Sequence, residues 1–326
     1  MGAKMLKLFS EYDFVRTPVI QANRFAASGN LYVKLESENL NNNIKSRTAY
    51  FMINDFCLKE NTANIVESSS GNLGLSLGYF ASMIDVNFLC LVDPTVPEYK
   101  IKKLIKNNIR YKVISKGNYP DYRMARISYA EELNQMKDWY WINQYNNTAN
   151  EFAHYTTTGP ELYEQMHEDI DIFVCSVGSG GTISGIGKFL KEQHKNIKIV
   201  AVEPEGSTIF GGCSNEYLTA GAGLKEPSGI LKRNWGLFDY FAQVNDIDAI
   251  NTCLEFSKKE GILPGITTGS VLFVAQYLAQ KHLDKRIVCI SPDGGEQYID
   301  IFEKYEYKQS NKIPSIHEVK QLIYIT

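Results

Sequence analysis

The chain has 326 residues, 44% of them apolar and 22% charged, with a net charge of −3 at pH 7. Such a balance belongs to a soluble globular protein long enough for two lobes with substantial cores, and it excludes a disordered tail or a small module. Nucleic acid is excluded as the main partner because no Lys/Arg block is present to face a phosphate backbone; short clusters such as Lys102-Lys103 read as solvated helix faces.

From Leu31 onward, β-rich apolar runs alternate with helical patterns, the signature of a mostly parallel sheet wrapped by helices. In chain order the pattern predicts strand 31–36, helix 46–59, strand 64–67, helix 72–83, strand 87–92, helix 99–106, strand 110–115, helix 121–136 and strand 140–143. The second half repeats the rhythm with strand 172–177, helix 182–193, strand 197–202, strand 240–244, helices 247–260 and 270–282, and strand 286–291. Between the strands at 197–202 and 240–244 lies a glycine-rich stretch, 206–236, with little periodicity. Loops of that length in compact domains are usually functional, so it is a candidate mouth or interface segment. No internal repeat or low-complexity linker is visible, and the expected organisation is α/β with two lobes, 1–145 and 146–326, and a ligand cleft between them.

Six cysteines are scattered without a C-x-x-C pair, and four sit inside apolar segments, which reads as reduced thiols in a reducing compartment. No apolar run reaches about 18 residues, and residues 1–10 lack the apolar core of a signal peptide, so the expected location is the cytoplasm and no membrane partner is expected. Five histidines show neither i, i+4 pairing nor a nearby cysteine, so no protein-ligated metal site is expected.

Four loops lie where a strand should end, the side on which open α/β sheets bind ligands. Gly178-Ser179-Gly180-Gly181-Thr182 follows the apolar run 172–177 and opens a helical pattern. Glycines bring backbone close to a ligand and the first amides of a helix have no internal partners, so this is either a phosphate cradle or an ordinary tight turn. It fits neither G-x-x-x-x-G-K-[ST] nor G-x-G-x-x-G, although Glu203 and Glu205 lie near the distance of the acid in the latter. A second loop, 39–47, puts Lys45 at a helix start. There the positive end of the dipole disfavours a cation and helps depress its pKa, as Schiff-base chemistry requires; a solvent-exposed first-turn lysine is the alternative. The third, Glu67-Ser68-Ser69-Ser70-Gly71-Asn72-Leu73-Gly74, is a dense set of donors suited to a carboxylate, of which capping explains one serine. The fourth, 264–270, again sets hydroxyls and glycines at a helix start, and capping alone could account for it.

In this order the four loops resemble the fold type II pyridoxal-phosphate enzymes of the cysteine synthase and cystathionine β-synthase family, with a tryptophan synthase β-like architecture. The resemblance extends from Thr17-Pro18 to Pro292-Asp293-Gly294-Gly295-Glu296. It implies that Lys45 holds pyridoxal 5′-phosphate as an internal aldimine and that Gly178, Ser179, Gly180, Gly181 and Thr182 cradle the phosphate. Asn72 would meet the ring hydroxyl and Thr267 the pyridine nitrogen. Ser69, Ser70, Gly71 and Leu73 would bind the substrate carboxylate together with Gln144, and Tyr145 and Ser179 would accept a polar substrate. The resemblance also implies a homodimer, with residues 1–35 packing on the other lobe. A neutral hydroxyl at Thr267 delocalises a Cα carbanion less than an acid would, which favours loss of a β-leaving group over transamination.

Within the family, Ser46-Arg47-Thr48 after the lysine and Leu73 after the asparagine disfavour simple dehydration. The segments 140–145, Val92-Asp93-Pro94, 206–211 and Thr268-Gly269-Ser270 resemble the branch that makes N-(2-amino-2-carboxyethyl)-L-glutamate from O-phospho-L-serine and L-glutamate through an aminoacrylate, toward 2,3-diaminopropionate in siderophores and antibiotics. Phosphate and dicarboxylate need cationic help, for which Arg47, Arg123 and Arg126 are available, each of which reads equally as a surface helix arginine. Asn39-Leu40-Asn41-Asn42-Asn43 lacks the usual proline and glycines, so that loop must turn on asparagines. The runner-up is cysteine synthase with sulfide; a different class is an inactive relative that binds serine acetyltransferase. The tail from Tyr305 would pack on a partner or on its own lobe.

Overall fold

In a computed structural model the described residues are 16–59, 62–69, 71–219, 221–305, 307 and 312–321. Residues 1–10, Ser70 and the tail residues Leu322, Ile323 and Tyr324 thus lie outside the described residues. The contacts divide the chain into two units, Lys45–Asn150 and Arg16–Ile44 with Glu151 onward. The pattern-based boundary near 145 is therefore five residues early, and residues 16–44 belong with the second unit. Each unit builds its own sheet.

The second unit opens the described chain with β1 (Val19–Gln21) and β2 (Leu31–Leu35). The first unit then runs α1 (Lys45–Lys59), β3 (Asn64–Ser68), α2 (Asn72–Met83), β4 (Asn87–Val92), α3 (Glu98–Lys106), β5 (Arg110–Val113), α4 (Tyr122–Asn134) and β6 (Trp139–Trp141). Its four strands are all parallel in the order β5-β4-β3-β6. Ile65, Val66 and Leu91 of the central strands are fully buried, whereas every residue of β5 is exposed, as suits a short edge carrying Arg110 and Lys112. Parallel strands place their C-terminal ends at one edge, so the Ser69 loop emerges there from β3.

The chain passes between units in α5 (Thr148–Ala153), then continues through a π turn (His154–Thr158) into α6 (Gly159–Gln165). The second unit adds β7 (Ile172–Ser176), α7 (Gly181–Gln193), β8 (Lys198–Pro204), α8 (Gly229–Asn234), β9 (Tyr240–Val244), α9 (Asp246–Glu260), α10 (Ile266–Lys281), β10 (Ile287–Ser291), α11 (Ile299–Phe302) and β11 (Ile316–Glu318). Its sheet order is β1-β2-β10-β7-β8-β9-β11, parallel except for the three-residue edge strands β1 and β11. All five residues of β10 are buried, which is why it reads as a continuous apolar run rather than an alternating one.

Three departures from the pattern, besides the short elements β1, α11 and β11, bear on the candidate loops. Residues 148–165 hold three helical pieces where none is expected, because a π turn adds a residue and breaks the 3.6 period. The stretch 206–236 is not wholly irregular: Ser228 accepts the Leu231 amide at 3.1 Å and caps the six-residue α8, too short to show a period. The stretch is anchored at its start by fully buried Glu203, which accepts from the Ser207 hydroxyl, Ile209 N (3.1 Å) and Gln243 Nε2 (2.9 Å). Burial pushes that carboxyl up while these hydrogen bonds pull it down. Finally, α10 starts at Ile266, four residues before the expected 270, because Gly269 lets the helix lie against α9, the carbonyl oxygen of Ala249 sitting 2.1 Å from where a Cβ would be.

Within the second unit, Lys34 of β2 is fully buried, and its ammonium donates to Glu161 Oε1 (2.7 Å), Gln165 Oε1 (2.8 Å) and the Thr17 carbonyl (3.1 Å). Three donors meet three acceptors, tying the first strand pair to α6. Removing one member of such a pair leaves a buried charge unmatched, so Lys34→Ala is expected to lower the unfolding free energy by about 3 kcal/mol or more, read as a lower urea midpoint at unchanged slope.

Candidate active site

The candidate residues fall into two groups, one in each unit. In the first unit, Lys45 is the first residue of α1 and is partly buried, with Ser46, Arg47 and Thr48 fully buried behind it. Arg47 is therefore not the surface arginine that the pattern allows. The turn leading to it, in the second unit, uses the asparagines as expected: Asn41 and Asn42 take φ of 57° and 56°, and the Asn43 side-chain amide donates to the Asn41 carbonyl at 2.6 Å.

At the end of β3, the buried Ser69 hydroxyl accepts the amides of Gly74 (3.0 Å) and Gly71 (3.4 Å) and so organises the first turn of α2, where Asn72 and Leu73 are the leading residues. The neighbouring Ser68 hydroxyl is buried with no hydrogen-bond partner among the described residues. Gln144 is tied to this loop: Nε2 donates to the Ser68 carbonyl (2.9 Å) and to Glu67 Oε1 (3.2 Å), and its backbone N donates to Glu67 Oε2 (3.3 Å). Both amide hydrogens are thereby used, and a substrate carboxylate could take one only if the side chain turned from Glu67 or Ser68. Asn150 braces the same segment, donating to the Gln144 carbonyl at 2.8 Å and accepting from the Thr48 hydroxyl at 3.3 Å.

Glu67 is fully buried, and desolvation pushes its carboxyl up to about 8 against the pull of the hydrogen bonds from Gln144 and Asn143. Arg126 of α4, whose charge acts on Cys90 and Tyr145, is buried rather than on the helix surface. Its Nη1 stands 3.4 Å from Asp93 Oδ2 without hydrogen-bond geometry, and Nε has no acceptor among the described residues. Half-buried Tyr145 feels burial, which raises its phenol, and the opposing charges of Arg126 and Arg123; the Arg123 guanidinium lies 5.9 Å from its ring centre. The first unit thus brings Ser69, Gly71, Asn72, Leu73, Gln144 and Tyr145 to one end of its sheet, with an under-satisfied guanidinium beside them.

In the second unit, β7 runs into Gly178 to Thr182 and α7. A Cβ at Gly178 would stand 2.6 Å from the Gly221 carbonyl oxygen, and Gly180 has φ +90° with Leu231 side-chain carbons 2.6 Å from its would-be Cβ. Only glycine satisfies both positions, and the turn presents the first amides of a 13-residue helix. The wall behind the loop comes from the stretch 206–236: Gly223 N donates to the Val177 carbonyl (2.7 Å) and the Ser228 hydroxyl to the Ser179 carbonyl (2.6 Å). Sequence reading missed this wall, whose signal is the run Gly221-Ala222-Gly223 followed by the Ser228 cap. It also missed buried His154, which reaches Thr182. Thr267 and Thr268 are buried in the first turn of α10, and Thr268 shares a hydrogen bond with Ser291 at 3.0 Å. The Ser270 hydroxyl, one turn on, is buried with no hydrogen-bond partner among the described residues.

Two parallel-sheet α/β units, one with a lysine at a helix start and a hydroxyl-rich loop, the other with a glycine cradle at a helix N-terminus, define a fold type II enzyme. A family model described as pyridoxal-phosphate dependent enzyme matches residues 11–293, and the chain belongs to that family. The chain is similar to a hydrogen sulfide-producing enzyme from Fusobacterium nucleatum, with 30% identity, 86% of this chain and 94% of that chain covered, and a TM-score of 0.79. It is similar to O-ureido-L-serine synthase at 25% identity over 91% of this chain and 95% of that one, with a TM-score of 0.82. With O-acetyl serine sulfhydrylase isoform 3 from Entamoeba histolytica it shares the fold, at 24% identity, 90% coverage of both chains and a TM-score of 0.82.

The buried Glu67 makes stability pH-dependent. An unfolded glutamate loses its proton near 4.5 and the folded one near 8, so between these values the folded state holds a proton that the unfolded chain has released, and stability falls as pH rises. Glu67→Gln is expected to flatten this slope: urea midpoints compared at about pH 5.5 and about pH 8 should converge relative to the wild type, and an unchanged slope would show that Glu67 is ionised throughout.

Proposed function

We propose that the enzyme replaces the β-substituent of an activated L-serine, O-phospho-L-serine, with the amine of L-glutamate, giving N-(2-amino-2-carboxyethyl)-L-glutamate on the way to 2,3-diaminopropionate. The glycine cradle fits the coenzyme's phosphate, since Gly178 and Gly180 let the loop pack tightly on the wall behind it and leave the first backbone amides of a 13-residue helix facing the anion. Lys45 would hold the coenzyme covalently, Gly178 to Thr182 its phosphate, Asn72 its ring hydroxyl and Thr267 its ring nitrogen. Bound there, the coenzyme supplies a sink for negative charge at the substrate Cα.

The rest of the work belongs to side chains and backbone. Ser69, Ser70, Gly71 and Leu73 bind the carboxylate, joined by Gln144 once its amide leaves Glu67. Lys45 Nζ, released when the substrate's amine takes its place, would take the Cα proton; the Cβ–O bond breaks and phosphate departs with its electron pair. The glutamate nitrogen then bonds to Cβ, and Lys45 returns a proton to Cα. Tyr145 and Ser179 are the polar walls for the second substrate. On the family resemblance the enzyme is a cytoplasmic homodimer.

The observation that carries the substrate choice is Arg126: a buried guanidinium with an unused Nε, next to Tyr145 and the substrate loop, suits a phosphate or a second carboxylate. Sulfide chemistry has no need of it. The second reading is cysteine synthesis with sulfide; the 30% identity to a hydrogen sulfide-producing enzyme supports sulfide as one of the groups exchanged, there in the releasing direction.

Purified enzyme given O-phospho-L-serine is expected to release phosphate steadily only when L-glutamate is added, with the N-linked product identified by mass; turnover by sulfide and not by glutamate would transfer the proposal to cysteine synthesis. Lys45→Ala should lose the visible absorbance of the lysine-bound coenzyme, and a retained band would remove Lys45 from its role. Arg126→Leu should raise KM for the anionic substrates by about tenfold to a hundredfold, the worth of a hydrogen bond to a charged group.

A further inference from the structure

The strongest unused feature of the second unit is a buried chain of polar side chains behind the glycine cradle. His154 is fully buried in the π turn, with Nδ1 2.9 Å from Thr158 Oγ1 and Nε2 3.2 Å from Thr182 Oγ1. Its place is fixed from both sides. Gly185 of α7 lies so close that a Cβ there would stand 2.2 Å from the Glu151 carbonyl oxygen and 2.8 Å from His154 Cβ. Thr157 locks the turn by donating to the Ala153 carbonyl at 2.6 Å. A π turn costs backbone regularity, and such turns concentrate where a side chain must be delivered to a functional position.

We propose that His154 is a positioning residue for the coenzyme's phosphate, its ring directing the Thr182 hydroxyl so that Thr182 donates its proton to the phosphate. This rests on reading Gly178 to Thr182 as the phosphate cradle. A neutral imidazole has one donor and one acceptor nitrogen. When the Thr158 hydroxyl donates to Nδ1, the ring proton lies on Nε2 and is given to Thr182 Oγ1, leaving the hydroxyl's own hydrogen for an acceptor at the head of α7. In the other tautomer Thr182 gives its hydrogen to Nε2 and presents only lone pairs to a dianion. The phosphate therefore selects the first arrangement, and Thr158 and His154 hold it in advance.

The test is coenzyme release from the holoenzyme, followed by dilution into a trap, for the wild type, Thr182→Val, His154→Phe and the double variant, each checked for folding by circular dichroism. Each single change is expected to weaken retention about tenfold, the worth of one hydrogen bond to a charged acceptor, and the double change no further. His154→Gln, which keeps a donor on a side chain of similar reach, should stay close to the wild type, and the phosphorus resonance of the bound coenzyme should shift in His154→Phe but not in His154→Gln. Additive losses, or a folded His154→Phe that retains coenzyme normally while Thr182→Val does not, would overturn the role of His154 alone. Undiminished retention in Thr182→Val would overturn the cradle reading as well. If His154→Phe fails to fold, Thr158→Val decides: weakened retention that vanishes in the Thr182→Val background supports the proposal, and unchanged retention overturns it.

Discussion

Much of the second unit depends on one steric constraint: there is no room for a side chain at Gly178 or Gly180. The Gly221 carbonyl and the Leu231 side chain occupy the places where the two Cβ atoms would be, and the left-handed backbone at Gly180 turns the chain from β7 into α7 within a few residues. The first amides of α7 are then left without internal partners at the C-terminal edge of a parallel sheet, where the dipole adds positive potential. An anion held there needs no cationic side chain, which fits a cradle composed of glycines, a serine and a threonine.

The same constraint accounts for the stretch after β8. Its disorderly composition suggested a mouth or an interface; its packing shows a second purpose, to supply the carbonyl, the hydroxyl of Ser228 and the leucine that close the loop from behind. Glu203, which lies near the distance along the chain of a dinucleotide site's acid, is instead engaged in folding that stretch back on β8. The first unit follows a different logic. Its loop is organised by a serine hydroxyl and by Gln144, which is held by a carboxyl that burial keeps largely protonated at neutral pH. A neutral Glu67 lowers the cost of desolvation next to the loop proposed to receive a carboxylate, while the charges of Arg126 and Arg123 act on Tyr145.

Legibility followed the range of the interactions involved. Strands 87–92 and 240–244 and helix 72–83 agree with their pattern residue for residue, because a buried strand or an amphipathic helix writes its period into its own sequence. The turn on Asn41 and Asn42 was equally readable, since side chains that tolerate a left-handed backbone announce it locally. Residues 148–165 were not readable: His154, Thr157 and Thr158 are poor helix formers, and the π turn that they occupy is stabilised by α7 lying against it through Gly185. Arg47 and Arg126 look like solvated helix residues in sequence, and only packing reveals them as buried. Lys34 likewise sits in an apolar strand with its acceptors about 130 positions away on α6.

By itself, then, the sequence determined the alternation of strands and helices, the four loops at strand ends and the lysine at a helix start, all of which depend on neighbours a few residues apart. The tertiary structure alone decided what stands behind the glycine loop. Whether Gly178 needs to be glycine depends on a carbonyl 43 positions later, and whether Thr182 can turn its proton outward depends on a histidine 28 positions earlier. Steric exclusion and hydrogen-bond direction act through space, and no period or motif records them. The loop was therefore visible as a composition, and acquired its shape only when the chain folded around it.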